Sequence, residues 1–329
     1  MIEIALGSGG KDFQDFLKKK ILHYFDNPIL NQTDDGALLP KLNGQPVMAS
    51  DSFVVTPRIF PGGSLGKLAF CGTINDLAMM GARPLYLSLN LIIEEGFDMR
   101  ELEFHLKEMA SLSHQYQIPI VTGDTKVVSR GSVDGLFIST MGLGECQKKL
   151  NTDTIAVGDK IIINGSVGDH AMTIFSQRED LGFDSDLESD CCALHEITLD
   201  LLQKYDGIKF LRDATRGGVS AVLNELAHQQ SLELGICEDS FTLTPAVESA
   251  CELFGFNFLE LANEGKFIAV VENKQADNIV EYLNAKWSQN SSIIGEVTDL
   301  NSSLVSLKTL LGAQRIVSWP QGEQLPRIC

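Results

Sequence analysis

Strand-like and helix-like segments alternate along this chain, and the alternation limits its fold more than any other feature of the sequence. In the first half, PVMASDSFVV (46–55) is predicted to be a strand, GKLAFCGTINDLAMMGA (66–82) a helix and PLYLSLNLII (84–93) a second strand. A helix over about 98–117 and strands at IPIVTGD and LFISTMGLGE follow. Such alternation is typical of α/β architecture, in which helices cover a sheet.

The alternation returns in the second half, after a segment that lacks apolar periodicity. That segment, CQKKLNTDTIAVGDK near 146–160, is the best candidate for an interdomain linker. The predicted strands beyond it are KIIING, IKFLRD, LELGIC, FIAVVE and SIIGEV, and the predicted helices are 191–205, one from about 218 and one after FIAVVE. We therefore predict two α/β domains, 1–150 and 151–318, followed by a tail over 319–329.

Composition and charge narrow the classes of partner and compartment. The net charge of −18 repels phosphate backbones and anionic lipid, so we expect neither nucleic acid nor a membrane as a partner. No apolar run reaches the roughly 18 residues of a membrane helix, and MIEIALGSGGKDF lacks the regions of a secretory signal. Seven cysteines without a CxxC pair argue against a disulfide framework or a zinc ribbon. We expect a cytoplasmic protein.

Aspartates recur beside predicted turns and element ends, as a site for Mg²⁺ with a polyphosphate requires. The metal takes one or two carboxylates together with phosphate oxygens. The candidates are Asp34, Asp35, Asp51, Asp76, Asp124 and Asp213. Each alone is as readily explained by a turn, because the Asp side chain bonds nearby backbone. Asn75 and Asp76 are more informative, since both are poor helix-interior residues inside a strong helical run.

Three glycine-rich stretches could hold phosphate through backbone N–H groups. They are GSGG (7–10), PGG (61–63) and RGG (216–218), the last at the start of a predicted helix. PGGSLGKLA is not a Walker loop, because Pro61 replaces its first glycine and Leu68 its Ser/Thr. No GxGxxG follows a strand, so bound ATP would need another scaffold.

Two further charged residues and the histidines are ambiguous on their own. Lys126 in GDTKVV could meet phosphate or solvent, and Glu264 in LANEGKF could serve as a base or form a turn. The six histidines are scattered without metal-ligand spacing, and no G-x-S-x-G motif is present.

The sequence finishes on a thiol, Cys329, in the stretch EQLPRIC. The last ten residues have no helical or strand pattern and could span about 33–36 Å when extended. The terminal carboxylate disfavours the thiolate and Arg327 favours it. From these residues alone, the cysteine is either accidental or a reactive group that the tail carries.

Nine segments, in order along the whole chain, resemble the HypE family of carbamoyl dehydratases, which act in [NiFe]-hydrogenase maturation. They are GSGGKDF, TDDGA, ASDSFVV, PGGSLGKLA, GTINDLA, GDTKVV, LRDATRGG, ANEGK and LPRIC, and the PRIC end is the most specific. The family shares a superfamily with the aminoimidazole ribonucleotide synthetases and the selenophosphate synthetases. The sequence departs from the family pattern at one point. The family usually has His before GSGG, whereas here Leu6 and Gly7 precede Ser8.

The resemblance implies a fold, cofactors and partners. The fold is α/β (α+β), with two PurM-like domains, an N-terminal domain that forms a dimeric β-barrel with a second copy, and a flexible C-terminal tail. The implied cofactors are ATP and Mg²⁺. Cys329 would receive a carbamoyl group from the transferase HypF, ATP would drive its dehydration to a thiocyanate, and cyanide would pass to iron on HypC–HypD.

The resemblance also implies roles for individual residues. Cys329 would carry the substrate, Glu264 would remove protons, and Lys126 would orient the thiocarboxamide. The implied Mg²⁺ carboxylates are Asp35, Asp51, Asp76 and Asp213. The implied ATP-binding residues are Gly9, Gly10, Asp35, Asp51, Asn75, Asp76, Asp124, Thr125, Asp213, Thr215, Gly217 and Gly218.

Two alternatives stay open at the level of sequence. The first is another ATP-dependent enzyme of the superfamily. A selenophosphate synthetase should carry Cys or selenocysteine near the first glycine loop, where residues 1–20 contain none, and a purine enzyme has no use for a tail thiol. The second is a non-catalytic carrier or scaffold, which predicts no ATP hydrolysis and no need for Glu264.

Overall fold

The first domain is built on a four-stranded sheet. The computed structural model describes residues 1–7, 9–179 and 187–321. An irregular helical segment precedes the first strand of this sheet. That segment is α1 (Lys11–Phe16), a π-helical turn (Leu17–Ile21) and a 3-10 turn (Leu22–Tyr24). The later elements are β1 (Pro46–Phe53), β2 (Ile59–Phe60), β3 (Gly63–Ser64), α2 (Leu65–Met79), β4 (Ala82–Glu94), α3 (Met99–Tyr116), β5 (Ile120–Val128) and β6 (Leu136–Cys146). The strand order is β1-β6-β4-β5, and only β4 and β5 are parallel.

Helix α2 is covered on nearly every side. The side chain of Ser64 caps it by accepting the N–H of Lys67 at 3.3 Å. Gly66 lets α3 approach, because a Cβ there would lie 2.5 Å from the carbonyl oxygen of His105. A helix that is apolar all round is buried. Consequently α2 carries Asn75 and Asp76 into the middle of the molecule.

The second domain is built on a seven-stranded sheet in the order β13-β12-β9-β11-β7-β10-β8. Its elements are β7 (Lys160–Ile163), α4 (Asp169–Glu179), α5 (His195–Lys204), β8 (Ile208–Asp213), α6 (Gly218–Gln230), β9 (Glu233–Cys237), α7 (Pro245–Phe254), β10 (Phe267–Val271), α8 (Asn273–Trp287), β11 (Ser292–Asp299), β12 (Leu304–Lys308) and β13 (Gln314–Ile316). One apolar core packs the sheet against α6, and another packs it against α5 and α8. The sheet is therefore covered on both faces.

The two domains meet along α2. Ala78 and Met79 at its C-terminal end share a core with Leu194 and Ile197 of the second domain. The amide of Asn75 donates to the carbonyl of Cys192 at 3.0 Å and accepts the N–H of Leu194 at 2.7 Å. These contacts bring the end of β8 beside α2.

The face of the four-stranded sheet opposite α2 and α3 is open in the described chain. Met48, Met141 and Ile92 on this face are 68%, 42% and 40% exposed. Strands β1 and β5 each pair on one side only within the described residues. An exposed apolar face bounded by two free strand edges favours pairing with another chain. None of the described helices is long and apolar enough to cross a membrane.

Candidate active site

A cleft lies between the two domains. Four acidic residues line it: Asp51 on β1, Asp76 on α2, Asp213 at the end of β8, and Glu264 in the loop before β10. The other lining residues are Ser52, Phe53, Val54, Leu68, Gly72, His170, Thr215 and Arg216. The structure thus brings together three of the four predicted metal carboxylates and the predicted base.

The carboxylates in this cleft repel one another. Burial raises the pKa of Asp213 to about 7, and the negative charges of Asp76 and Asp51 contribute, against an opposing effect of Arg212. Burial raises the pKa of Asp76 to about 6, with a further contribution from Asp51. Burial also raises the pKa of Glu264 well above its usual range, helped first by Asp190 and then by Asp213. Each of these carboxyl groups therefore binds a proton more readily than usual, and only a cation would favour their ionisation together.

This donor set fits Mg²⁺ accompanied by phosphate. Hard carboxylate oxygens suit the ion, which is usually held by one or two carboxylates with substrate phosphates and water. Within residues 1–7, 9–179 and 187–321, no group of three or more His, Cys, Asp or Glu side chains could hold a metal ion as it stands. The arrangement accordingly suits a metal that arrives with ATP better than a permanent protein cage.

A helix N-terminus borders the cleft. Thr215 and Arg216 line the cleft just before α6 begins. Gly217 and Gly218 have φ of +76° and +59°, and a Cβ on Gly218 would lie 2.5 Å from the carbonyl oxygen of Leu261. Both positions therefore require glycine, and the free N–H groups of the first turn offer a site suited to phosphate.

The loop that carries Glu264 is held by buried amide side chains. Asn263 accepts the N–H of Gly168 at 2.8 Å and donates to the carbonyl of Ala214 at 2.9 Å. Asn164 donates to the carbonyl of Gly265 at 3.2 Å. Because these groups are buried and paired, the loop has little freedom to move.

Two predicted residues lie far from this cleft within the same chain. Asp51 and Gly123 occupy one row across the sheet, three strand spacings or about 14 Å apart. Asp124 and Lys126 follow Gly123 on β5 and point to the open face, whereas Asp51 points toward α2. Thr125 is buried on the face that the helices cover. The structure does not bring Lys126 into its own chain's cleft.

The remaining predicted residues have other surroundings. Asn75 is buried and uses its amide group to join the domains rather than to line the cleft. Asp35, Gly9 and Gly10 are exposed and do not line the cleft. Cys329 lies outside the described residues, as does Ser8.

Two residues that line the cleft, His170 and Arg216, were not predicted as site residues from the sequence. His170 is 1% exposed, its Nδ1 lies 2.8 Å from the hydroxyl of Ser189, and burial lowers its pKa to about 4, so it is neutral. Arg216 stands inside the LRDATRGG stretch, where a cation among phosphate-binding glycines was a usable signal. His170 offered none, since it lacks any metal-ligand spacing.

The fold and the cleft define the class of protein. Residues 33–146 match the family model for the N-terminal domain of AIR synthase related proteins, and residues 156–307 match that for the C-terminal domain. The chain therefore has the two-domain α/β architecture of PurM-like proteins, and the predicted fold class is confirmed. The boundaries at 150 and 318 stay predictions.

Closer relatives identify the family. The carbamoyl dehydratase HypE of Rhizobium leguminosarum bv. viciae is 42% identical over 332 residues, which cover 100% of this chain and 95% of that relative. A crystal structure of the hydrogenase maturation protein HypE in complex with ATP superposes with a TM-score of 0.94 at 38% identity, over 100% of both chains. A HypE–HypF complex matches with a TM-score of 0.80 at 40% identity, over 94% of this chain and 100% of that chain. This chain belongs to the HypE carbamoyl dehydratase family, which confirms the resemblance.

Proposed function

We propose that this protein uses ATP to dehydrate an S-carbamoyl group on Cys329 to a thiocyanate, in the cytoplasm. The product would supply cyanide ligands for the iron of a [NiFe]-hydrogenase. The observation that carries the proposal is the cleft in which Asp51, Asp76 and Asp213 face Glu264 beside the start of α6. The match to a HypE protein solved in complex with ATP supports nucleotide binding by this chain.

The chemistry divides into activation and elimination. Amide oxygen is a poor leaving group, so the γ-phosphoryl group of ATP is transferred to it and ADP leaves. Loss of one proton from nitrogen gives an O-phosphorylated imidate whose C=N–H group is uncharged. Loss of the second nitrogen proton forms the C≡N bond as the C–O bond breaks and inorganic phosphate departs. The sum is S-carboxamide plus ATP giving thiocyanate, ADP and phosphate.

The residues of the cleft have different roles in these two steps. Asp51, Asp76 and Asp213 would hold Mg²⁺, which when bound screens the charge of the transferring phosphoryl group. Arg216 and the first turn of α6 would hold phosphate oxygens. Glu264 is the base for the nitrogen protons, because its raised pKa makes it a better proton acceptor than an ordinary glutamate.

The root of the tail lies beside the cleft. Ser220, in the first turn of α6, donates its hydroxyl to the carbonyl of Ser318 at 3.0 Å. A Cβ on Gly217 would lie 3.5 Å from Pro320, so the chain passes next to the start of α6. The eight residues 322–329 span at most about 29 Å when extended. The thiol can therefore reach the cleft of its own chain and also partners outside it.

The open face of the first domain favours a homodimer. We propose that two open faces pack together into a barrel, with β5 of one copy beside β1 of the other, because each of these strands has one unpaired edge among the described residues. Lys126 and Asp124 of the partner subunit would then lie inside this barrel, on the opposite face of the sheet from Asp51.

Charge on the open face should break the dimer. Met141→Lys is expected to shift the protein from dimer to monomer at micromolar concentration, because it buries an unpaired ammonium group in the barrel. Multi-angle light scattering after gel filtration measures the mass. Met80→Lys is the matched control, since Met80 is 61% exposed but lies just beyond α2. A wild-type monomer, or a dimeric Met141→Lys, would contradict the arrangement.

We also propose the partners. HypF, seen with a HypE protein in a crystal structure, would donate the carbamoyl group, and HypC–HypD would accept the cyanide. Both exchanges require the thiol to leave the cleft, which a tail rooted at Ser318 allows.

Intact-protein mass spectrometry tests the function directly. After incubation with HypF, carbamoyl phosphate and Mg-ATP, the chain should gain about 43 Da and then lose about 18 Da, by atomic masses, as the carbamoyl group on the thiol is dehydrated. Cys329→Ala should show neither change, whereas Cys237→Ala, which removes a half-buried cysteine of the second domain, should behave as wild type. An unmodified wild-type chain beside active HypF would instead support a scaffold, and a modified chain that keeps its water would refute the dehydratase.

A further inference from the structure

Asp190 makes three hydrogen bonds to the segment that carries Glu264. Its carboxylate accepts the backbone N–H of Glu264 at 3.0 Å and that of Gly265 at 3.2 Å. It also accepts from Nζ of Lys266 at 3.0 Å. One side chain therefore holds three successive residues around the proposed base.

This ion pair is buried. The side chain of Asp190 is 4% exposed and that of Lys266 11% exposed. Removing two charges from water is costly, and such a pair is often no more stable than apolar residues of the same volume. Charge-assisted bonds to backbone N–H groups are, however, stronger and more directional than neutral ones. The gain from this pair is therefore a fixed backbone next to Glu264.

The backbone itself is in close contact here. A Cβ on Gly265 would lie 2.0 Å from the carbonyl oxygen of Asp190 and 2.7 Å from the sulfur of Cys192. Only glycine fits at this position. The turn after Glu264 is consequently pressed directly against the chain around Asp190.

The same chain segment is tied to the first domain. The N–H of Ser189 donates to the carbonyl of Pro61 at 2.9 Å. Cys192 and Leu194 hydrogen-bond to the amide of Asn75, which is next to Asp76 on α2. Residues 189–194, which we call the bridge segment, thus connect the helix of a proposed metal ligand with the loop of the proposed base.

We propose that Asp190 is the positioning residue for Glu264, and that the bridge segment fixes the base relative to Asp76. This inference rests on the proposed function, because it assigns Glu264 as the base. Asparagine at position 190 would keep one acceptor oxygen and turn an NH₂ group toward a backbone N–H or Lys266. The turn would then have to shift, and a displacement of about 1 Å can slow a reaction by about 100-fold.

The test compares Asp190→Asn with a matched buried pair elsewhere in the same domain. Asp159 has a side chain 7% exposed, lies 2.7 Å from Nζ of Lys209 and accepts the N–H of Ala156 at 2.7 Å. It does not line the cleft. Asp159→Asn therefore removes an equivalent buried charge from a place that the reaction does not use.

The measurement is the single-turnover loss of water from protein already carbamoylated on Cys329, followed by mass spectrometry at varied ATP. We expect Asp190→Asn to lower the maximum rate constant by about 10- to 100-fold and to leave the half-saturating ATP concentration within about twofold. Asp159→Asn should stay within about twofold of wild type in both, with a comparable fall in melting temperature.

A double-mutant cycle separates positioning from general damage. If Asp190 acts through Glu264, adding Asp190→Asn to Glu264→Gln should slow the reaction by less than about twofold more. Three results would overturn the inference. The rate losses of the two single variants could multiply in the double variant, Asp159→Asn could lose as much activity as Asp190→Asn, or Asp190→Asn could keep full activity. A wild-type chain that loses no water would instead refute the proposed function.

Lys266→Gln decides the question if Asp190→Asn does not fold. It keeps a donor for Asp190 but removes the charge from the pair. We expect a smaller fall in the maximum rate constant, about fivefold, again with unchanged half-saturating ATP. Wild-type rates in this variant would overturn the proposal.

Discussion

Glu264→Gln is expected to slow the loss of water from S-carbamoylated Cys329 by about 10²- to 10⁴-fold, the range that a lost general base typically causes. Glutamine has the shape of glutamate but cannot accept a proton at neutral pH. Mg-ATP affinity should change little, because the remaining carboxylates, Arg216 and the start of α6 are untouched. Single-turnover mass spectrometry gives the rate, and a nucleotide-binding titration gives the affinity.

Glu260→Gln is the control for this variant. Glu260 lies in the same stretch, four residues earlier, and its carboxylate accepts the amide of Asn257 at 2.7 Å. It does not line the cleft, so its rate should match the wild type. Because a base acts in its ionised form and the pKa of Glu264 is raised, the wild-type rate should increase with pH through that pKa. If Glu264→Gln dehydrates as fast as wild type, another group is the base.

Asp213→Asn is expected to weaken Mg-ATP binding by about 10- to 100-fold, the range seen when groups that support a bound metal are removed. Burial and the negative charges of Asp76 and Asp51 raise the pKa of Asp213, and a divalent cation relieves that repulsion. Isothermal titration calorimetry at fixed Mg²⁺ measures the loss. Asp134→Asn, at a side chain 78% exposed, is the control. Unchanged affinity in Asp213→Asn would remove this residue from the ligand set.

The same prediction has a pH dependence. Mg²⁺ requires ionised carboxylates, and the metal-free pKa values are about 6 for Asp76 and about 7 for Asp213. Affinity should therefore rise between pH 5 and about 8, with protons released on binding. The folded pKa values exceed the unfolded ones, so without metal these groups favour unfolding increasingly as pH rises from about 4 to 7. Asp213→Asn should reduce that slope; an unchanged slope would contradict the assigned cause.

Most elements could be predicted from local pattern. The apolar runs of β4 and β10 and the uniformly apolar α2 are strong signals, since a buried strand or helix needs no polar face. Helices α4 and α7 and strands β12 and β13 had no such signal and were not predicted. Asn75 and Asp76 stood out as misfits in a helix. In the structure, Asn75 hydrogen-bonds across the domain junction and Asp76 lines the cleft, and these roles explain why both occur despite their low helix propensity.

The sequence by itself determined the α/β class, the acidic residues available for a metal and the family of the chain, because runs of apolar residues and short motifs are local properties. Only the tertiary structure decided which acidic residues meet. Asp51, Asp76, Asp213 and Glu264 converge through the packing of α2 between two sheets, whereas Lys126 lies three strands away on the opposite face. It also decided the place of Asp190, whose carboxylate contacts residues more than seventy positions later in the chain. Contacts over such separations depend on how whole elements pack, and no local pattern records them.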